Sequence, residues 1–290
     1  MRNRFILLFS LVLACPVILA AQSLNTAKID QLLGHSGQKT GDVYRVGLPR
    51  TDLHVQVGGM ALKPGFALGS WAAFSGTDAE AAVMGDLVLT ESEIGRVMAK
   101  LRAAGFEITA VHNHLLNETP HVMYMHYMGH GDAQKIAQSL RDALAESKTP
   151  LTSAPPAQEA PPAPFVKTIE GVLGTPGRWA GGVLAFGIPR KEAITDHGMT
   201  LNGAQGVAEA INFQEAGQGN VATTGDFVLT GQEVNSVISA LAEHNIQVTG
   251  LHNHMLSEQP RLFFMHFWGV GTPANVSAGI KAALSKIAVK

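Results

Sequence analysis

Two hydrophobic rhythms run along this chain, and each occurs twice. Gly85-Asp86-Leu87-Val88-Leu89-Thr90 reads as a strand, and Ile94, Val97, Met98 and Leu101 then fall at the i, i+3, i+4, i+7 spacing of a buried helical stripe. Thr90-x-x-Glu93 supplies a capping box at the junction. The same arrangement returns in Gly225-Asp226-Phe227-Val228-Leu229-Thr230, in Thr230-x-x-Glu233, and in Val234, Val237, Ile238 and Leu241. Gly105 is expected to end the first helix, with Ile108 to His114 resuming as a strand. Leu116 to Pro120 then turns, and Val122 to Met128 runs back until Gly129-His130-Gly131 breaks it. Asp132 is placed to cap a closing helix through Ile136, Leu140 and Leu144; the second copy offers Thr272 as cap and Pro273 at the first helical position. Upstream, residues 43–47, 53–57 and 70–74 read as strands with weak alternation.

These matches define a duplication. Gly41 to Arg50 answers Gly181 to Arg190, and the correspondence continues through Leu144 and Leu284. The expected fold class is α+β: a tandem duplication of one domain (early strands, then strand–helix–strand–strand–helix) with pseudo-two-fold character. The first repeat domain spans 23–146 and the second 165–290, with a Pro/Ala-rich linker over 147–164 whose proline density favours extended, exposed backbone.

Residues 1–22 have the character of a signal peptide. Arg2 and Arg4 form a basic n-region, Phe5 to Ala20 is apolar apart from Ser10 and Pro16, and small residues precede Gln22-Ser23. Cleavage there would export the mature protein to the periplasm or cell surface; the alternative is an uncleaved anchor, for which the run is short. Cys15, the only cysteine, follows Val12-Leu13-Ala14 in a loose lipobox, so lipidation there is the one expected route to membrane contact. Cleavage beyond Cys15 leaves a mature chain with no disulfide. A net charge of −2 without a basic cluster gives no reason to expect a nucleic-acid partner.

The chemistry concentrates in one segment. His112-x-His114-x3-Glu118-x7-His126 recurs as His252-x-His254-x3-Glu258-x7-His266, at a constant offset of 140 residues. His112 and His114 share a strand face. A hairpin centred on Glu118 sets residue 112 opposite 124 and 110 opposite 126, which brings His126 diagonal to His112, while Glu118 can fold over the same face. Three imidazoles and a carboxylate suit a divalent transition metal, with Zn, Mn or Fe the leading candidates. Glu118 and Glu258 are then either general bases or fourth ligands. Neighbours differ between the copies (Leu115 against Met255, Asn117 against Ser257), whereas the histidines and glutamates do not. Arg50 and Arg190 recur after Gly-x-Pro and are candidates to bind an anionic ligand or to hold a structural carboxylate; Asp86 and Asp226 read as turn residues.

On Gly-Asp-[Leu/Phe]-Val-Leu-Thr and His-Asn-His-x-x-x-Glu-x-Pro followed by Met-His, the chain resembles the LppY/LpqO family of exported bacterial proteins, many of them lipoproteins. That resemblance covers both repeats and implies export and a two-copy architecture without implying an activity. A looser similarity to the first cupin motif stops at His-x-His and the glutamate, because a helix precedes the motif and the last histidine follows too soon. Two functions remain open: an exported metal-binding protein with a site per repeat or between repeats, with metal-dependent hydrolysis as its candidate reaction, or a non-catalytic envelope module that binds a small molecule or envelope component between repeats and uses its histidines structurally.

Overall fold

The computed structural model describes residues 23–153 and 158–290; the signal segment, Cys15 and part of the Pro/Ala-rich linker lie outside them. The first repeat runs α1 (Thr26–Leu33), β1 (Gln38–Thr40), β2 (Val43–Pro49), β3 (Gln56–Val57), β4 (Met60–Ala61), α2 (Pro64–Ala67), β5 (Gly69–Gly76), β6 (Ala81–Thr90), α3 (Glu91–Ala103), β7 (Glu107–His112), β8 (Glu118–Thr119), β9 (Val122–Gly131) and α4 (Ala133–Leu144). The second repeats it with α5 (Phe165–Leu173), β10 (Arg178–Ala180), β11 (Val183–Pro189), β12 (Ile194–Asp196), β13 (Met199–Leu201), a 3-10 turn at Gly203–Gln205, β14 (Ala208–Gly217), β15 (Asn220–Thr230), α6 (Val234–Glu243), β16 (Gln247–His252), β17 (Leu262–Gly271) and α7 (Pro273–Leu284). Each repeat folds into an antiparallel six-stranded sheet, in the orders β1-β2-β5-β6-β9-β7 and β10-β11-β14-β15-β17-β16. The fold is a duplicated α+β domain, as the repeated pattern predicts.

Residue parity decides which face each strand position serves. In the first sheet Val46, Leu48, Ala72, Phe74, Val83, Leu87, Met125 and Tyr127 pack under the helices, together with Ile29, Val97 and Leu140. The intervening positions face the other repeat: Trp71, Ala73, Met84 and Met128 pack with Ile194, Leu201, Val228 and Phe264 of the second half. A second such cluster joins Phe66, Val88 and Tyr124 to Val183 and Ala222. The layers are therefore helices, sheet, sheet, helices. β6 is buried along nearly its whole length because both its faces are covered, which removes the polar alternation an exposed face would have left in the sequence.

The caps form as expected. The Thr90 amide donates to Glu93 Oε2 at 2.8 Å, the Thr230 amide donates to Glu233 Oε2 at 2.7 Å, Asp132 accepts from the Gln134 and Lys135 amides, and Thr272 accepts from Asn275. Three expectations are corrected. β9 continues through Gly129-His130-Gly131 because its partner β6 extends to Ala81, which pairs with Gly131. Residues 53–57 yield only the two-residue β3. Two opening helices, α1 and α5, were not legible, and they pack on the closing helices: Arg141 Nη1 donates to Leu32 O at 2.6 Å, and Lys281 Nζ to Val172 O at 2.6 Å. The start of the linker is also held on the first domain, where the Lys148 amide donates to Glu93 Oε1 at 2.9 Å. Among the described residues no helix is long and apolar enough to cross a membrane.

Arg50 and Arg190 are corrected from candidate ligand-binding residues to structural pins. Arg50 is wholly buried, with Nη1 2.9 Å from Glu93 Oε2, Nη2 2.8 Å from Asp52 Oδ2, and Nη1 donating to Val88 O at 2.6 Å. Arg190 makes the equivalent bonds to Glu233, Glu192 and Val228 O. Their donors are spent on the protein itself, tying sheet, capping box and the segment after the closing helix together.

The Glu93 carboxyl is pushed up by burial, but Arg50 and the Thr90 and Lys148 amides outweigh that and hold it below the ordinary 4.5. A lowered folded value stabilises the protein above the ordinary value, and the contribution is lost as pH falls through the lowered one. Glu93→Gln should therefore cost about 3 kcal/mol at neutral pH, the scale for breaking a buried ion pair. Urea unfolding should show the gap to wild type narrowing at pH values well below 4.5.

Candidate metal centre

Parity carries the strand residues of the site onto the inner faces. In β9, His126 lies between Tyr124 and Met128, opposite Asp86 of β6 on one side and Ala110 of β7 on the other. His112 of β7 stands opposite Tyr124. This is the register that a hairpin centred on Glu118 predicts. The second copy matches it, with Gly250 opposite His266, His252 opposite Phe264, and Asp226 opposite His266. A bulge at Thr109, repeated at Thr249, adds one residue beyond this point and leaves the histidine register intact. His114 and His254 follow the ends of their strands.

The two hairpins meet, and their six imidazoles interleave. Three rings from each repeat meet in cross-repeat pairs: His112 stacks on His252 with centroids 3.5 Å apart, while His114 and His266 at 3.6 Å and His126 and His254 at 3.8 Å are tilted by 30° and 35°. Tyr124 extends one column by stacking on His114 at 3.4 Å, and Phe264 extends another by stacking on His254 at 3.4 Å. His112 Nε2 is 3.0 Å from His114 Nε2, and His252 Nε2 is 2.7 Å from His266 Nε2. Three sets of donor atoms lie mutually within 4.8 Å: His112, His126 and His252; His112, His114 and His266; Asp226, His252 and His254. The first two draw on both repeats, so the geometry forms one composite cluster.

A symmetric clasp holds the hairpins together. Thr109 Oγ1 donates to His254 O at 2.6 Å, and Thr249 Oγ1 donates to His114 O at 2.6 Å. Asn113 Nδ2 donates to Thr249 O and Asn253 Nδ2 to Thr109 O, both at 2.8 Å. These four bonds fix the backbone on which the second histidine of each motif sits. Both asparagines thus reach across the repeat boundary.

Burial sets the electrostatics. It lowers the histidines first, and the charges of neighbouring imidazoles lower several further: His126 and His252 fall to about 3, and His112, His114, His254 and His266 lie well below the ordinary value. All six are neutral bases at physiological pH, with nitrogen lone pairs available. His126 Nδ1 lies 3.2 Å from Gly85 O and His266 Nδ1 2.9 Å from Gly225 O, which assigns the proton to Nδ1 and turns Nε2 into the cluster as an acceptor. Burial likewise pushes the Asp86 carboxyl up to about 7, against the opposing pull of Arg45, and raises Asp226. His112 Nδ1, His126 Nε2, Asp86 Oδ1 and Asp226 Oδ1 are buried without a hydrogen-bond partner among the described residues.

The carboxylates of the cluster are the aspartates. Asp226 Oδ2 is 3.1 Å from His254 Nε2, and Asp86 Oδ2 is 3.6 Å from His114 Nε2. Both sit inside long strands, so their reading as turn residues is corrected; the usable signal was an acidic residue recurring within an otherwise apolar strand. Glu118 and Glu258 join none of the ligand-sized sets. Glu118 lies in β8, paired with β3 through Val57, and its Oε1 takes the Val122 amide at 3.2 Å and faces His121 Nδ1 at 2.5 Å. Glu258 Oε1 takes the Leu262 amide at 2.9 Å, and Oε2 lies 3.3 Å from Arg261 Nη1. Each buttresses the start of its returning strand rather than folding over the histidines.

Fold and cluster together define a tandem-repeat α+β protein with a shared inter-repeat histidine centre. The chain belongs to the family described as Domain of Unknown Function (DUF1259), which matches residues 27–146 and again 167–286. Comparison with curated proteins gives no match. Among solved structures the chain is similar to the trimeric bacterial microcompartment shell protein PduB, with 13% identity, 88% of this chain and 90% of that chain covered, and a TM-score of 0.23. It is also similar to EtuB from Clostridium kluyveri, with 8% identity, 87% and 91% covered, and a TM-score of 0.20. At these scores neither likeness bears on the site.

The clasp is open to test by a double-mutant cycle. Thr109→Val and Thr249→Val should each cost about 1 kcal/mol, the usual worth of a protein hydrogen bond. Because both brace one interface, the cycle should show a coupling of about 0.5 kcal/mol or more in urea unfolding.

Proposed function

We propose that this protein is an exported metal-binding protein of the cell envelope, in which the two repeats build one composite transition-metal centre. The observation that carries the reading is the cross-repeat cluster of six neutral imidazoles with two buried aspartates. A buried polar atom without a partner costs about 1–3 kcal/mol, and this cluster concentrates several. Ligation to a cation removes that cost and also reverses the protonation of the aspartates, since a bound ion favours the carboxylate. A nitrogen-rich set with a carboxylate suits Zn, Mn or Fe among the divalent metals. Such an ion would supply an activated water, which makes hydrolysis the reaction class best supported, and Asp86 and Asp226, rather than Glu118 and Glu258, would take up the proton.

The basic start and apolar run of residues 1–22 support export, as does the resemblance to LppY/LpqO proteins, and lipid attachment at Cys15 is the proposed route of membrane contact. The alternative, a non-catalytic binding module, draws on a cavity of about 980 Å³ between the sheets.

Elemental analysis of mature protein prepared without chelating resin separates the readings. The metal centre predicts a bound transition metal that is lost almost completely in His112→Ala and equally in His252→Ala, because both rings belong to the shared set of His112, His126 and His252. Independent sites would leave about half in each variant. Glu118→Gln should retain the metal. No metal in wild type after reconstitution with Zn, Mn, Fe, Cu and Ni would sink the metal centre and favour the binding module.

A further inference from the structure

The repeats keep their histidines and differ in what stands beside them. On the inner face of the first sheet, Trp71 of β5 lies between Gly47 and Asp86 in register; the second sheet has Ala210 in that place, between Gly187 and Asp226. Two residues before those glycines, Arg45 in β2 corresponds to Ala185 in β11. One half of the site therefore carries an arginine and an indole where the other carries two methyl groups.

Arg45 is held in place but not used up. Its guanidinium lies over the Trp71 ring, 3.8 Å from the centroid, and Nη1 donates to Ala204 O of the second repeat at 2.6 Å. Among the described residues this is its one hydrogen bond, and it makes no ion pair. Its other donors belong to a side chain lining the inter-sheet cavity of about 980 Å³, which His114, His126, His254 and His266 also line. Trp71 reaches the array as well: at Gly206, with φ +80°, a Cβ would stand 3.1 Å from the indole and 3.6 Å from His254 Nδ1. On the opposite side of the same cavity stands Arg178 of β10, the register partner of Ala185. Cavity size fits a small molecule, and its lining mixes small glycine and alanine positions with the histidines, Asp86 and Asp226.

We propose that this cavity binds one small organic anion per chain, its carboxylate or phosphate group held by Arg45 and its body lying against Trp71 beside the histidine array. A guanidinium with donors to spare suits a planar or tetrahedral oxyanion, and stacking on the indole fixes its plane. Single occupancy follows from Ala185 and Ala210, which leave the second half without the pair. The inference builds on the metal-centre reading by naming the ligand class of the same site, and its test reads the two separately.

Full mature protein would be titrated by calorimetry and tryptophan fluorescence with benzoate, succinate and phenyl phosphate, and with benzamide as the neutral control, while metal content is measured on the same samples. One equivalent of at least one anion should bind, with benzamide at least about tenfold weaker, since a charge-assisted bond is worth that much. Arg45→Met should weaken the anion at least about tenfold with circular dichroism and metal content unchanged, and Arg45→Lys should fall between. Trp71→Leu should abolish the fluorescence response. The preference between benzoate and phenyl phosphate names the recognised group. Should Arg45→Met fail to fold, Arg45→Lys carries the test. Failure of every anion to bind, benzamide binding equally well, or arginine variants that bind like wild type would overturn the proposal. Anion binding without metal would sink the metal centre alone, and metal without anion binding would sink this inference alone.

Discussion

Everything in this structure depends on the contact between the two inner sheet faces. An isolated repeat would cover one face of its sheet with helices and leave the other, with Trp71, Met84, Tyr124 and Met128, open to water. Burying those faces against each other supplies the apolar driving force for association. It also forces the polar residues of the same parity into a dehydrated space. Asp86, His112 and His126 cannot avoid the interface, because alternation along β6, β7 and β9 assigns them to it. Part of the cost of desolvating them is met locally: ring contacts, Nδ1 contacts to Gly85 and Gly225 carbonyls, and the threonine–asparagine clasp hold the imidazoles while leaving nitrogen lone pairs directed inward.

The parts legible in the sequence were those governed by short-range rules. Capping boxes, the i, i+4 stripes and the hairpin register around Glu118 follow from local spacing, and the structure places His112 opposite Tyr124 accordingly. What the sequence hid depends on a second surface. Strands buried on both faces lose their alternation, which is why β5 reads only weakly. α1 buries only Ile29 and Leu33, too few positions to register as a periodic stripe. Asp86 and Asp226 read as turn residues because nothing in one repeat reveals that the other will stand opposite. Glu118 attracted attention through spacing alone, and spacing does not show that β8 pairs with β3 and turns its carboxylate toward Val122 and His121.

Recurrence in both repeats likewise did not separate chemistry from architecture. The Arg50–Glu93 and Arg190–Glu233 pairs recur as faithfully as the histidines, yet they pin each sheet to its helix and to the segment that follows the closing helix. Geometry distinguishes them. The arginines are saturated with carboxylate and carbonyl partners, whereas the histidines and aspartates converge on one another and retain unpartnered atoms. A saturated network stabilises; an unsaturated, desolvated one is where a ligand has something to gain.

The position of the cluster on the pseudo-two-fold axis also explains how such a site can become directional. In a symmetric homodimer, every substitution near the axis appears twice, so a flank gained on one side is gained on the other. Joining the copies in one chain removes that restriction. Here the axis residues, His112 and His252, remain a matched pair, while the flanks have separated into Arg45 with Trp71 and Ala185 with Ala210. One side carries the arginine–indole pair, and the other has methyl groups at those two positions, with Arg178 beside them. A molecule entering between the sheets therefore meets two different walls around one shared set of imidazoles, which is the condition for it to be held in a single orientation.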